Sequence, residues 1–296
     1  MKTRLMCVAL LAATLMLVGG CGGGSGGSSD GGTGTLSMNA TDAKPAIDGN
    51  PTEVWITFEE VRAHKSGGGW VTLALKEKPL SINLLAFSDG TTTELVPPAQ
   101  LESGQYTQLR SEVSRAYMVI GGTAHEIDLD VPSGFLRIDK NFTFDVPDGG
   151  AVDLTVDFDL SQSIVDEGNG TYKLKPVLHL VETDGAATIE GTIKDATFGD
   201  SSQVEVTVIW DENKSGTVDP YPVDQVYTKV VVTQEPANAD TPFSIFWLVP
   251  GQYYIVEVRQ DSNSNGRFDD LDTVLPPRSV SPGDFDSNGV AVLDPI

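Results

Sequence analysis

Twelve consecutive residues near the carboxyl end carry the densest chemistry in the chain: Asp261-Ser262-Asn263-Ser264-Asn265-Gly266-Arg267-Phe268-Asp269-Asp270-Leu271-Asp272. Oxygen-bearing side chains fall at loop positions 1, 3, 5, 9 and 12, namely Asp261, Asn263, Asn265, Asp269 and Asp272, with glycine at 6 for a sharp bend. Arg267 at position 7 offers its backbone carbonyl. This is the spacing by which a short loop surrounds calcium with hard oxygen ligands. The competing reading is a solvent-exposed Asx and glycine turn. Asp272 is shorter than the glutamate that usually closes such a loop, so modest affinity is expected. A weaker copy lies upstream, where Asp211, Asn213, Ser215, Gly216 and Asp219 fill positions 1, 3, 5, 6 and 9 but position 12 is Pro222. A third acidic turn, Asp284, Asp286, Asn288 and Gly289, lacks the later ligands. Both main loops follow strand-like runs, which predicts that they sit at the same end of one sandwich and share an ion. Calcium is thus the one cofactor expected, and it would relieve the repulsion among these carboxylates.

The second reactive residue is Cys21. Lys2 and Arg4 precede an apolar run from Leu5 to Val18, too short for a bilayer span and right for an export signal. Val18-Gly19-Gly20-Cys21 then resembles the cleavage box of bacterial lipoproteins, which implies cleavage after residue 20 and acylation of the Cys21 sulfur. Of the two cysteines, Cys7 lies inside the signal, so the mature chain can form no internal disulfide. A single cysteine in an exported protein is unusual unless it is otherwise engaged, and acylation engages it. Gly22 stands where that family's inner-membrane retention signal has Asp, so the resemblance implies the outer membrane. Residues 22–34 hold eight glycines and no apolar side chain, a flexible tether spanning about 20 Å. The expected partners are therefore the membrane, through the anchor, and a glycan or cell-envelope protein beyond it.

Charge removes other classes. With 19 basic and 42 acidic side chains the net charge is −23, which opposes nucleic-acid binding and adhesion through a basic face. No Gly-x-Ser-x-Gly, phosphate loop or His-Glu-x-x-His occurs, and His64, His125 and His179 are scattered without metal spacing. His125-Glu126 reads as surface, and the alternate acids Asp128 and Asp130 as solvent-facing. The chain reads as non-enzymatic, with no catalytic residues.

These residues must be positioned by strands. From Leu36 onward the dominant period is two, with turn residues every eight to twelve positions and no long helical window. The fold class expected is all-β, two tandem antiparallel β-sandwich domains after the signal peptide (1–20) and the lipidated Cys and linker (21–34). Their predicted extents are 35–183 and 186–296, divided at Thr183-Asp184-Gly185-Ala186-Ala187. The clearest strand is Asp153–Leu160: Leu154, Val156, Phe158 and Leu160 face one way and Asp153, Thr155, Asp157 and Asp159 the other. The run from Tyr172 to Val181 reads as its hairpin partner through Gly168-Asn169-Gly170. That pairing would set Asp157 and Asp159 against Lys173 and Lys175 on a solvated face, each pair worth roughly 0.2–1 kcal/mol.

Several segments, in this order, resemble a domain of unknown function found in bacterial lipoproteins: Leu36-Ser37 with Thr41-Asp42-Ala43, Trp70–Leu73, Ile82–Leu85, Leu101–Arg110, Val131–Gly134, Asp153–Leu160 and Lys173–Val177. The resemblance implies an exported, lipid-anchored, β-rich domain and no known activity. Thr241–Asp270, with Leu248-Val249-Pro250-Gly251-Gln252-Tyr253 between two strands and an Asp-rich loop after them, resembles transthyretin-like modules. These include carboxypeptidase regulatory-like domains and adhesin B-type repeats. The resemblance implies a spacer or binding module whose Tyr packs into the sandwich. Two functions follow as expectations: a calcium-stabilised scaffold or interaction module, or a carbohydrate-binding lipoprotein using an exposed Trp55, Trp70, Trp210 or Trp247 as platform.

Overall fold

Alternation builds nearly everything that follows. A computed structural model describes residues 31–42, 51–121, 125–138, 143–199, 201–262 and 268–296. The first thirteen strands are β1 (Thr33–Thr41), β2 (Pro51–Lys65), β3 (Trp70–Leu73), β4 (Leu80–Asn83), β5 (Thr93–Glu102), β6 (Gly104–Ile120), β7 (Glu126–Asp130), β8 (Phe135–Ile138), β9 (Phe144–Val146), β10 (Ala151–Phe158), β11 (Ile164–Gly168), β12 (Thr171–Leu174) and β13 (Leu178–Glu182). They form a four-stranded sheet, β13-β10-β1-β5, and a nine-stranded sheet built on β2 and β6. A one-turn helix, α1 (Leu160–Ser163), follows β10.

In β2, Val54, Ile56 and Phe58 are fully buried while Trp55 and Thr57 take the other face, so the alternation directs three large side chains into the core. They meet Leu36, Met38, Leu154, Val156 and Phe158 of the smaller sheet, and Phe58 packs edge-on to Phe158 at 5.8 Å between ring centres. Each such side chain contributes about 1.5–3 kcal/mol by leaving water.

The remaining strands are β14 (Ala187–Ile193), β15 (Gln203–Asp211), β16 (Asp224–Thr233), β17 (Thr241–Leu248), β18 (Tyr254–Gln260), β19 (Thr273–Val274), β20 (Arg278–Val280) and β21 (Val290–Val292). They make a three-stranded sheet, β17-β14-β21, and a five-stranded sheet, β16-β15-β18-β19 with β20 also on β18. A separate core of Ile189, Val206, Val208, Phe243, Tyr254 and Val256 lies between them. Gly251, at φ +75°, makes the reversal before β18. The tyrosine that packs into the sandwich is not Tyr253, which lies under the Lys214 ammonium, but Tyr254, fully buried and donating to the Val249 carbonyl at 2.9 Å.

Two expectations about pairing fail. The sheets are not antiparallel throughout, because β1–β10, β7–β12 and β14–β21 are parallel. In each case the chain reaches its partner after passing through the facing sheet, a crossover long enough to permit parallel pairing. The Asp-Lys hairpin is also absent. Gly168-Asn169-Gly170 turns the chain between β11 and β12, and Lys173 pairs with Glu167 at 2.5 Å. The chain then changes sheets at residues 175–177, where Val177 N–H donates to Ser163 Oγ, and only β13 lies on β10.

The polar side of β10 is covered rather than wet: Thr155, Asp157 and Asp159 are all buried. Gln162 of α1 donates to the Tyr227 carbonyl of β16 at 3.1 Å, and the His179 ring of β13 stacks on Tyr227 at 3.9 Å. On the same seam, Gly90 approaches Phe246 so closely that a Cβ there would lie 2.7 Å from the ring. A solvated face and a face covered by a second packed body have the same period-two signature, which is why alternation alone misassigned it.

Candidate functional site

The Asp211 loop joins β15 to β16 and is wound around one carboxylate. Asp211 Oδ1 accepts from Ser215 N–H at 2.9 Å and Oδ2 from Gly216 N–H at 2.8 Å. Gly216, at φ +70°, makes the bend expected of position 6. Asn213 Nδ2 and Ser215 Oγ both donate to Asp219 Oδ2, at 2.9 and 3.0 Å, so the side chains at positions 1, 3, 5 and 9 share one loop interior. The sequence pattern missed the residue that completes the set. Asp224, the first residue of β16, is the register partner of Asp211 and accepts from Asp219 N–H through Oδ2 at 2.7 Å. Asp211 and Asp224 are 3 % and 4 % exposed, and Asp224 Oδ1 has no hydrogen-bond partner among the described residues. Counting fixed positions led to Pro222. A carboxylate two residues later, at the strand start, was the available signal.

Such a set suits a hard cation, because every donor is oxygen and two carboxylates are withdrawn from water without a basic partner. As folded here, the loop's oxygens are held by its own N–H, amide and hydroxyl groups. Among the described residues, no three His, Cys, Asp or Glu side chains are drawn onto one point fit for a metal ion.

Of the Asp261 loop, Asn263, Asn265, Gly266 and Arg267 lie outside the described residues. Its closing turn is described: Asp272 accepts from Ser262 N–H through Oδ1 at 3.1 Å and from Asp269 N–H through Oδ2 at 2.8 Å. Asp261 is buried at the end of β18. The two loops do not share an end. β15 and β18 are antiparallel, with Trp210 opposite Tyr254 and Val204 opposite Gln260. Loops that follow their carboxyl ends are therefore separated by the length of the strands, about 20 Å at 3.3 Å per residue. No ion can be shared. In the third turn, Asp286 caps Asn288 and Val290 N–H groups, and those bonds lower its carboxyl below the usual range, as expected of an Asx turn.

A second cluster was not anticipated. At the seam, Asp157 lies opposite His179, with Asp42, Asp159 and Tyr227 around them. Burial, then the neighbouring Asp159 charge, pushes the Asp157 carboxyl up to about 8. Burial also drives His179 down, against an opposing pull from Asp159, and drives Tyr227 well up. Asp159 itself is satisfied by Ser161 Oγ, Gln162 N–H and Gln162 Nε2. A void of about 20 Å³ lined by Asp42, Asp157 and Trp247 remains, room for roughly one water. His64 lies against Trp70, whereas His125 is exposed, so the three histidines do not converge.

Trp70 is the tryptophan most open to solvent, at 42 % exposed. Trp55 stacks on Tyr117 and donates to Glu53, Trp210 packs beside Tyr227, and Trp247 faces the seam. Cys21 and the signal and tether segments lie outside the described residues. Among the described residues no helix is long and apolar enough to cross a membrane.

With this architecture in view, residues 33–176, a little under half of the chain, match the family model "Domain of unknown function (DUF4382)". This agrees with the resemblance carried by Leu36-Ser37 through Lys173–Val177. No curated protein matches the chain. Among solved structures, a leucine-rich repeat protein from Bacteroides thetaiotaomicron is 11% identical with a TM-score of 0.22, over 89% of this chain and 26% of that one. The Bacillus anthracis TIE protein is 11% identical with a TM-score of 0.18, over 89% and 33%. A variant of the shaft pilin spaA from Lactobacillus rhamnosus GG is 9% identical with a TM-score of 0.22, over 88% and 96%. The chain thus spans about a quarter and a third of the first two, and similarity at this level carries no argument about fold or role.

Proposed function

We propose that this chain is a non-enzymatic module of a bacterial cell envelope, anchored through an acylated Cys21 in the outer membrane and stabilised by calcium. The observation that supports the calcium reading is the Asp211 loop, where buried Asp224, bonded to Asp219 N–H through one oxygen, keeps its other oxygen unpartnered among the described residues beside Asp211, Asn213, Ser215 and Asp219. A bound ion would offset the repulsion of three carboxylates and fasten the start of β16. Because β16 also carries Tyr227 onto the seam, that ion would reinforce the contact between the two cores. The Asp261 set, Asp261, Asn263, Asn265, Arg267, Asp269 and Asp272, would form an independent site at the far end of β18.

The experiment is thermal unfolding of the full chain in detergent, with calcium or with chelator, beside Asp211→Ala. Ligation of the native state alone at a hundredfold excess over Kd adds about 2.7 kcal/mol. We expect a calcium-dependent rise in Tm that Asp211→Ala diminishes; superimposable curves for the native chain refute calcium stabilisation. A second reading, glycan capture, is favoured by the exposure of Trp70.

A further inference from the structure

The outer face of the nine-stranded sheet carries a row of arginines. Arg62 on β2 is the register partner of Arg110 on β6, and Arg110 is the register partner of Arg137 on β8. Directly opposed residues of antiparallel strands point to the same side. The alternate residues Ala63, Leu109 and Ile138 are buried in the core, so the three guanidinium groups stand together on the wet face. Three of the eight arginines of a chain with net charge −23 are therefore gathered in one row.

Like charges set opposite one another destabilise a sheet. Arg62 is compensated by Glu60, with Glu112 nearby. Arg110 and Arg137 have no carboxylate at ion-pair distance among the described residues. The Arg110 guanidinium lies 3.5 Å from the centre of the Phe135 ring, which fixes its plane, and its buried Nε has no acceptor among the described residues. One step along the strands, Trp70 is braced edge-on by His64 at 5.1 Å and remains open to solvent. Trp70, Gln108, Leu109, Arg110 and Arg137 line a concavity of about 90 Å³ between them.

The parts have complementary chemistry. Two planar forks without anions match a carboxylate in bidentate fashion. The exposed indole offers a flat apolar face for the C–H side of a pyranose ring, and Gln108 offers an amide for hydroxyl groups. A concavity of this size admits a carboxylate and the ring edge bearing it while the ring lies over Trp70. We propose that this face binds an acidic polysaccharide through its uronate residues, Arg110 and Arg137 holding the carboxylate and Trp70 the sugar ring. The inference rests on the glycan-capture reading and specifies its ligand. The acidic remainder of the surface opposes every polyanion, so what selects a uronate is the local pairing of its carboxylate with the arginines while its ring lies over Trp70.

The test is calorimetric titration of the full chain in detergent with oligogalacturonate, with the neutral oligogalactoside of equal length, with inorganic phosphate and with phosphatidylglycerol in mixed micelles of the same detergent. Arg137→Gln, Arg137→Lys and Trp70→Ala alter exposed side chains, and unchanged melting confirms that each variant folds. We expect oligogalacturonate to bind in a salt-sensitive manner, at least tenfold more weakly in Arg137→Gln and at least fivefold more weakly in Trp70→Ala. Arg137→Lys should lose affinity despite keeping its charge. Equal binding of the neutral sugar overturns the uronate assignment but leaves glycan capture standing, whereas failure of both sugars overturns both. Phosphate or phosphatidylglycerol micelles binding as tightly as oligogalacturonate, with no effect of Trp70→Ala, would reduce the face to an anion site and overturn the proposal.

Discussion

Asp157 provides a perturbation whose sign and size follow from the seam. Its carboxyl is raised in the folded protein to about 8, chiefly by burial and then by Asp159, so the folded chain holds a proton that the unfolded chain has released above about pH 4. A raised folded pKa contributes stability that is fully present below the unfolded value and is lost as pH rises through the folded one. His179 acts oppositely: burial lowers it, so its contribution is present above its unfolded value and is lost as pH falls. Between pH 6.5 and 8 folded His179 stays neutral while unfolded His179 sheds the last of its charge, a smaller opposing change, so Asp157 sets the sign. One proton bound on folding gives a limiting slope of about −1.4 kcal/mol per pH unit, and half-titration of Asp157 at pH 8 together with the His179 offset leaves a net fall of about 1 kcal/mol across the window. For a chain of this size that is a fall of about 2–4 °C in Tm. Asp157→Asn, neutral at every pH, should abolish this fall and melt above the native chain at pH 8. The assay is thermal unfolding by near-ultraviolet circular dichroism at half-unit pH steps. A native profile that is flat or rising from pH 6.5 to 8, or an Asp157→Asn profile that keeps the native slope, would refute the reasoning.

Three further outcomes are expected. Gly90→Ala combines a left-handed φ of +83° with a Cβ only 2.7 Å from Phe246, so it should destabilise the chain by about 1–3 kcal/mol, read by chemical denaturation. Lys229→Met leaves the buried carboxylate of Glu205 without its 3.0 Å partner, and should cost about 3 kcal/mol, an effect that Glu205→Gln in the same chain largely restores. Metabolic labelling with an alkyne fatty acid should mark the native chain and not Cys21→Ser, and equal labelling of the two would remove the anchor from the proposed function.

Much of the architecture was legible because alternating side chains need only one buried face. Val54, Ile56 and Phe58, or Leu154, Val156 and Phe158, declare their core side without reference to a partner. What pairs with what is a longer-range matter. The run after Tyr172 looks continuous in sequence, but it changes sheets at Lys175-Pro176-Val177, where the Lys175 and Val177 N–H groups donate to Ser163 instead of to a ladder. Asp157 has the alternation of a solvated residue, but it is buried at the seam, beside Val230 of β16 and Ser244–Trp247 of β17. The loop spacing around Asp211 was readable because its ligands are local, whereas Asp224 enters through strand register. The opposite placement of the Asp211 and Asp261 loops follows from the antiparallel neighbours β15 and β18, a fact of pairing that loop motifs do not encode. Likewise Arg62, Arg110 and Arg137 are far apart in sequence and become a row only across three strands.

The central claim, a calcium ion held at the start of β16, is tested most directly by measuring calcium stoichiometry. Equilibrium dialysis of the full chain in detergent against radioactive calcium, beside Asp224→Asn, counts the ions bound to each. The expected result is a loss of one bound ion in Asp224→Asn, with any ion at the Asp261 loop retained because it lies at the other end of the sheet. An identical stoichiometry for the two proteins, or no bound calcium in the native chain, would contradict it.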